Sequence, residues 1–125
     1  MKSKLQRLKT NAWTIFSKYI RLRDKKCFTC PNGIAENAGH FWHNVLDFDE
    51  ENIHGQCVRC NKWLSGNLAV YAVNLLKLIG KKKFEALDIR HTRAIGEDKH
   101  YEEYYENIIE KYSEKYQKLC TDISL

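Results

Sequence analysis

Two cysteine pairs constrain the fold of this chain more than any other feature. Cys27 and Cys30 form one pair and Cys57 and Cys60 the other, with two residues between the thiols of each. This spacing lets both sulfurs of a turn face one ion, so two such turns supply the four ligands of a tetrahedral zinc. We predict a closed, structural Zn²⁺ site. A redox dithiol or unpaired buried thiols are the alternatives.

The expected cellular location of the chain agrees with a metal role for the cysteines. Thiols stay free for metal in a reducing compartment, and Cys120 has no partner in the pattern. The sequence has no run near the roughly 18 to 20 apolar residues of a membrane span, and no apolar signal core. We expect an intracellular protein without a membrane partner.

The length of 125 residues suits one domain, residues 1–125, to which a metal adds stability. Periodicity predicts a basic amphipathic helix over 1–24, a zinc-bearing core over 25–67, a helical segment over 68–96 and a C-terminal helix over 97–125. Within the core, Gly, Asn and Pro break the pattern into two short strands. The predicted class is α+β, mostly helical overall.

Individual residues mark the helix ends. Asn67 is a candidate N-cap for a helix that Gly80 is predicted to end. The last helix, from about Lys99 to Cys120, carries tyrosines at helical spacing, which we interpret as core and interface residues. This helix is also a candidate homodimer interface.

The charge distribution favours a partner rich in phosphate. The net charge is +5, and Asp24 is the only acid among residues 1–26. A basic helix face and a lysine after the second cysteine pair could hold DNA phosphates; the candidates are Lys4, Lys9, Lys18, Arg21 and Lys62. A helix that only braces the core, with a solvated charged surface, is the alternative.

Chemistry-bearing residues lie between and just after the cysteine pairs. His40 stands in the first predicted strand, Asn52 precedes the second strand, and Asn61 directly follows Cys60. This order of parts is that of an HNH ββα-metal hairpin. Each residue also has a plain interpretation, as a hydrogen-bonded strand histidine or a turn asparagine.

The motifs carry a closer resemblance. The segments AGHF (38–41), NIHGQCVRCN (52–61) and LSGNL (64–68), with AW (12–13) and FSKYIRLRD (16–24), resemble the NinG, or Rap, recombination proteins of lambdoid phages. The similarity runs from about Ala12 to Ile79.

The resemblance implies a metal-dependent, HNH-like DNA endonuclease that acts on branched or recombining DNA in the host-cell cytoplasm. By position, His40 is then the general base, Asn61 a ligand of a catalytic Mg²⁺ or Mn²⁺, and Asn52 a residue that orients the hairpin loop and His40. The zinc-stabilised ββα-metal core would be flanked by helices.

Two positions depart from these patterns. Many HNH enzymes have an acid directly before the base histidine, where this chain has Gly39, and the NinG pattern has an acid where this chain has Asn37. Hard cations prefer anionic oxygen, so metal binding should weaken unless another group helps. The candidate helpers are His43, His54, Glu36 and Asn67.

Two other functions stay open at this stage. The loss of the carboxylate favours a non-catalytic zinc module that binds DNA or a recombination partner. A sequence-specific HNH nuclease of the homing or restriction type would need a long specificity-bearing extension, which we do not find.

Overall fold

The computed structural model describes residues 1–97 and 99–124, so Asp98 and Leu125 of the predicted segment 97–125 lie outside the described residues. The described chain is mostly helical with one small sheet. Its elements are α1 (Lys4–Asp24), β1 (Asn37–His40), β2 (Ile53–Gln56), a π-helical turn (Arg59–Trp63), α2 (Leu68–Ala94) and α3 (Glu102–Ser124). Both predicted strands are present.

Helix α1 begins at a reciprocal cap. The Ser3 hydroxyl accepts from the Gln6 backbone N–H, and the Gln6 side chain accepts from the Ser3 N–H. These bonds satisfy donors that the first helical turn leaves unpaired. Three apolar residues at steps of four, Ala12, Phe16 and Ile20, are fully buried, which gives the helix one core-facing side.

The two strands form an antiparallel hairpin with Asn37 opposite Gln56 and Gly39 opposite His54. Ala38 packs with Phe16 and Ile20 of α1. Because side chains alternate along a strand, His40 shares the α1 side with Ala38, and Asn37 and Gly39 take the other side. His40 is the last residue of β1, so it lies at the rim of the hairpin.

Helix α3 packs along α1, and one carboxylate joins them. The rings of Phe16 and Tyr112 meet edge to face with centroids 4.7 Å apart. Glu50, from the loop between the strands, accepts from Tyr112 Oη at 2.9 Å and Lys115 Nζ at 2.6 Å on α3. It also lies 3.5 Å from the Arg23 guanidinium on α1. The loop is therefore tied to both helices.

Helix α2 corrects one prediction. Gly80 does not end the helical segment: it takes φ 84° and ψ 164°, bends the chain, and helix resumes to Ala94. Glycine adopts positive φ without a steric penalty, so the chain changes direction there. The second half brings Leu87 into a buried cluster with Tyr71 and Leu75.

Asn67 stands at the N-cap of α2 but does not cap it through its side chain. Its amide instead donates to the Thr29 carbonyl at 3.1 Å and contacts Cys60 Sγ at 3.8 Å. Within the described ranges, no helix is both long and apolar enough to cross a membrane.

Candidate active site and metal centre

The four predicted zinc ligands converge. The Sγ atoms of Cys27, Cys30, Cys57 and Cys60 all lie within 4.8 Å of one another. The Cys30 and Cys57 sulfurs are 3.7 Å apart, close to the roughly 3.8 Å edge of a tetrahedron with Zn–S bonds of about 2.3 Å. Gly33 makes room for them, because a Cβ there would lie 2.7 Å from Cys57 Cβ. The thiolate donor set fits zinc.

The thiols of this cluster differ in acidity. Burial opposes ionisation of Cys27, but hydrogen bonds with the Cys57 backbone and with Thr29 outweigh it and lower the pKa of Cys27 to about 6. The Cys60 backbone favours the Cys57 thiolate, yet burial and the neighbouring thiols raise the pKa of Cys57 to about 12. Crowding thus opposes full ionisation, which a divalent cation would relieve.

His40 is held on two sides. Its Nε2 lies 2.9 Å from Asp47 Oδ1, and its ring stacks on Trp13 with centroids 5.2 Å apart. The hydrogen bond with His40 lowers the pKa of Asp47 against burial, with help from Lys9. These residues border a cavity of about 240 Å³, also lined by Phe48 and Tyr105. A small polar group could therefore approach the imidazole.

Asn52 organises the loop between the strands. It is fully buried, accepts from the Trp42 N–H at 2.8 Å, and donates to the carbonyls of Trp42 at 3.0 Å and Leu46 at 3.3 Å. The described hydrogen bonds of its side chain go to the loop backbone and none goes to His40. Asn52 therefore positions the loop that carries Asp47.

Asn61 lies beside the end of β1. It sits half-buried in the π-helical turn, and its Oδ1 is 3.1 Å from the position that a Cβ on Gly39 would occupy. The same position overlaps Gln56 Oε1. Sequence reasoning missed Gln56; its only signal was a polar residue at the inner end of a strand, directly before Cys57.

Of the candidate helpers, His54 has its ring in the protein core. It is buried, it stacks on Phe28 with centroids 4.2 Å apart, and its Nδ1 lies 3.1 Å from Tyr71 Oη. Burial, and then the charge of Arg23, lower the pKa of His54 to about 4. It is a neutral core histidine at physiological pH.

The other helpers differ in position. Glu36 accepts from the Val58 N–H at 3.4 Å, and the Asn67 amide contacts Cys60 Sγ of the thiol cluster. His43 is exposed, with its ring centroid 6.2 Å from that of His40. His43 Nε2 also lies 3.3 Å from where a Cβ on Gly66 would stand, so His43 lines the rim beside His40.

Comparison with known proteins places the chain. The family described as Bacteriophage Lambda NinG protein matches residues 1–122. The chain belongs to the NinG family. It is 39% identical over 83 residues to Protein ninG of Escherichia phage 933W, 38% to that of Escherichia phage lambda and 39% to that of Salmonella phage P22.

In each case the match covers 60% of this chain and 41% of the relative, so this NinG-family chain spans about two fifths of the length of those relatives. No solved structure matches it. The family assignment confirms the resemblance seen in the sequence motifs.

Gly39, which departs from the HNH pattern, and Asn37, which departs from the NinG pattern, lie on one face of the hairpin. Asn37 stands opposite Gln56 in the strand register, and its Nδ2 is buried without a hydrogen-bond partner among the described residues. Gly39 follows on the same face, under the Gln56 amide. The positions that hold acids in related patterns thus surround Gln56.

Several of the basic residues proposed to contact DNA in this NinG-family chain already make contacts within the protein. Lys4 pairs with Glu102 at 3.4 Å, and Lys18 lies over the Tyr116 ring at 5.1 Å. Arg21 bonds the Ser17 carbonyl of its own helix. Lys9 also lies over an α3 ring, that of Tyr105 at 6.0 Å, but it borders the His40 cavity. Lys9 and the exposed Lys62 are therefore kept as the candidates for contact with a polyanion.

Proposed function

We propose that this chain is a divalent-metal-dependent DNA endonuclease of the HNH type. One observation carries the proposal: the end of β1 holds His40, oriented by Asp47 at 2.9 Å, and on the other face of the strand the Asn61 amide oxygen lies beside the preceding residue, Gly39. A base and an oxygen ligand at one strand end are the parts that phosphodiester hydrolysis needs.

The scaffold supports this interpretation. Strands β1 and β2 and the turn Arg59–Trp63 follow in the order of a ββα-metal core. Cys57 and Cys60 flank the start of that turn, so zinc bound to them would fix Asn61 relative to the hairpin. The zinc would have a structural role, because four thiolates leave no position for substrate.

His40 supplies the proton chemistry. When Nε2 carries the proton donated to Asp47, Nδ1 holds the lone pair that accepts a proton from water. The water oxygen then bonds to phosphorus while the bond from phosphorus to the 3′ oxygen breaks, and that oxygen takes a proton from solvent. Bound Mg²⁺ or Mn²⁺ supplies charge stabilisation for the phosphate and the leaving oxygen.

Oxygen donors suit such an ion. The amide oxygen of Asn61 is a hard ligand, and Mg²⁺ commonly uses few protein ligands, retained waters and substrate phosphate. The exposed His43 at the same rim is placed to contact the phosphate or its water. Lys9 and Lys62 would contact neighbouring backbone phosphates, which position DNA without reading its sequence.

Branched DNA is the substrate that we propose. Contacts dominated by phosphate favour recognition of shape, and the NinG resemblance implies recombining DNA. A non-catalytic zinc module is the second candidate, favoured by one observation: Asn37 and Gly39 leave this face of the hairpin without a carboxylate.

Cleavage of fork, Holliday-junction and linear duplex substrates tests the proposal, with Mg²⁺, with Mn²⁺ and without either. We expect metal-dependent cutting of a branched substrate in preference to the duplex. Binding of branched DNA without cutting under every condition favours the non-catalytic module. Cutting of duplex at one sequence favours a homing or restriction-type enzyme.

A further inference from the structure

The Gln56 carboxamide has an acceptor that nothing in the described chain satisfies. The side chain is fully buried, and its Nε2 donates to the Gly66 carbonyl at 2.8 Å and to Thr29 Oγ1 at 2.9 Å. Because a carbonyl only accepts, the bond to Gly66 fixes which end of the amide is nitrogen. Gln56 Oε1 is left without a hydrogen-bond partner among the described residues.

The unsatisfied oxygen lies beside Gly39, as does the Asn61 amide. It lies against Gly39, at the place that a Cβ on residue 39 would overlap, and Asn61 Oδ1 is 3.1 Å from that same place. Both amide groups thus lie beside Gly39. A buried acceptor without a partner costs free energy unless a donor or a cation reaches it.

We propose that Gln56 Oε1 and Asn61 Oδ1 together bind the divalent cation, with Gln56 in place of the carboxylate that residue 39 lacks. This inference rests on the proposed function and names a ligand for its metal. Gly39 is then required, because any side chain there would displace the Gln56 amide. Asn61 is half-buried, so the ion would enter from its side and keep several waters.

The ligand pair is neutral, which has a consequence for affinity. Hard cations bind anionic oxygen more tightly than amide oxygen, so Mn²⁺ alone should bind weakly and DNA phosphate should complete the site. Zinc would not compete for these oxygens while the four thiolates hold it, since thiolates are the softer ligands.

The experiment measures Mn²⁺ affinity of the zinc-loaded full chain by electron paramagnetic resonance. Gln56→Met keeps the length of the side chain and removes the hard oxygen, so we expect a loss of about tenfold or more. Gln56→Glu supplies a carboxylate and should bind Mn²⁺ more tightly than the natural chain. Zinc stoichiometry and circular dichroism establish that each variant is folded.

Gln117→Met is the matched control. It makes the same substitution at an exposed position of α3, so Mn²⁺ affinity should stay unchanged. If Gln56→Met fails to retain zinc, the proposal is tested by the Mn²⁺ affinity of Gln56→Glu compared with that of the natural chain.

Equal Mn²⁺ affinity for the natural chain and the folded Gln56 variants would overturn the proposal, as would an absence of Mn²⁺ binding throughout the millimolar range. This readout is independent of cleavage. If the chain cuts DNA but its Mn²⁺ affinity does not depend on Gln56, Gln56 is not a ligand and the nuclease proposal stands. If the Mn²⁺ affinity depends on Gln56 but the chain cuts no DNA, the cation site stands and the nuclease proposal fails.

Discussion

His40 Nε2 and Asp47 Oδ1 lie 2.9 Å apart, which joins the last residue of β1 to the loop between the strands. Trp13 stacks on the same imidazole, so α1 and the loop both restrict the ring. Asn52 holds the loop backbone from within, at Trp42 and Leu46. The orientation of His40 therefore depends on a loop fixed by buried hydrogen bonds.

Removing the Asp47 carboxylate should impair catalysis more than folding. Asp47→Asn keeps the shape but weakens the hold on Nε2–H, so we expect cleavage to fall by about tenfold or more. The ¹⁵N shifts of the His40 ring should show the Nε2–H tautomer less populated. Asp88→Asn, at an exposed position of α2, is the control and should change neither. Natural activity in Asp47→Asn would contradict this role.

Zinc removal should unfold the core. Structural zinc supplies on the order of 10 kcal/mol to small domains, more than the whole stability of many of them. Cys60→Ser, at a fully buried ligand, should lower bound zinc and the melting temperature together. Cys120→Ser should keep one zinc per chain. Native circular dichroism after chelation would contradict a structural zinc site.

Glu50 should stabilise the packing of α1 and α3 in a pH-dependent way. Burial opposes its ionisation, but Lys115, Tyr112 and Arg23 outweigh burial and lower the pKa of Glu50 from 4.5. The contribution of Glu50 to the free energy of unfolding is therefore fully present above pH 4.5. It is lost as the pH falls through the lower pKa of the folded state.

The variant Glu50→Gln measures this contribution. It should reduce the free energy of unfolding by about 1–3 kcal/mol at neutral pH, and the difference should shrink in acid. Urea unfolding across pH tests it, with the exposed Glu110→Gln as control. A difference that grows as pH falls would reverse the assigned sign.

The proposed contact of Lys62 with a DNA phosphate should appear in the salt dependence of DNA binding. Lys62→Gln, in a His40→Ala background that leaves DNA uncut, should weaken binding to all sequences alike. It should also reduce the slope of log affinity against log salt by about 1. Lys118→Gln on α3 should leave the slope unchanged. An unaltered slope for Lys62→Gln would exclude a phosphate contact there.

Local patterns in the sequence predicted the parts of this molecule that depend on local geometry. The spacing of the cysteines located the thiol cluster, and helical periodicity located α1. The bend at Gly80 was missed because a glycine that ends a helix and one that redirects it have the same sequence pattern. What distinguishes them is the packing of Leu87 against Tyr71, which residue spacing does not show.

The rest depends on contacts between distant segments. Asp47 meets His40 only because Asn52 folds the intervening loop, and the Gln56 and Asn61 amides both come to lie beside Gly39. The pairing of α3 with α1, which occupies Lys4 and Lys18, follows from packing that no single helix encodes. The spacing of residues along the sequence does not predict these contacts.

The central claim is tested most directly by the cleavage rate of His40→Ala. The substrate is the branched DNA that the natural chain cuts best, with saturating Mn²⁺ and with zinc content equal in both proteins. Loss of a general base should lower the rate by about 10²–10⁴-fold while DNA affinity is kept. Equal rates for the two proteins, or no cutting by either, would contradict the account.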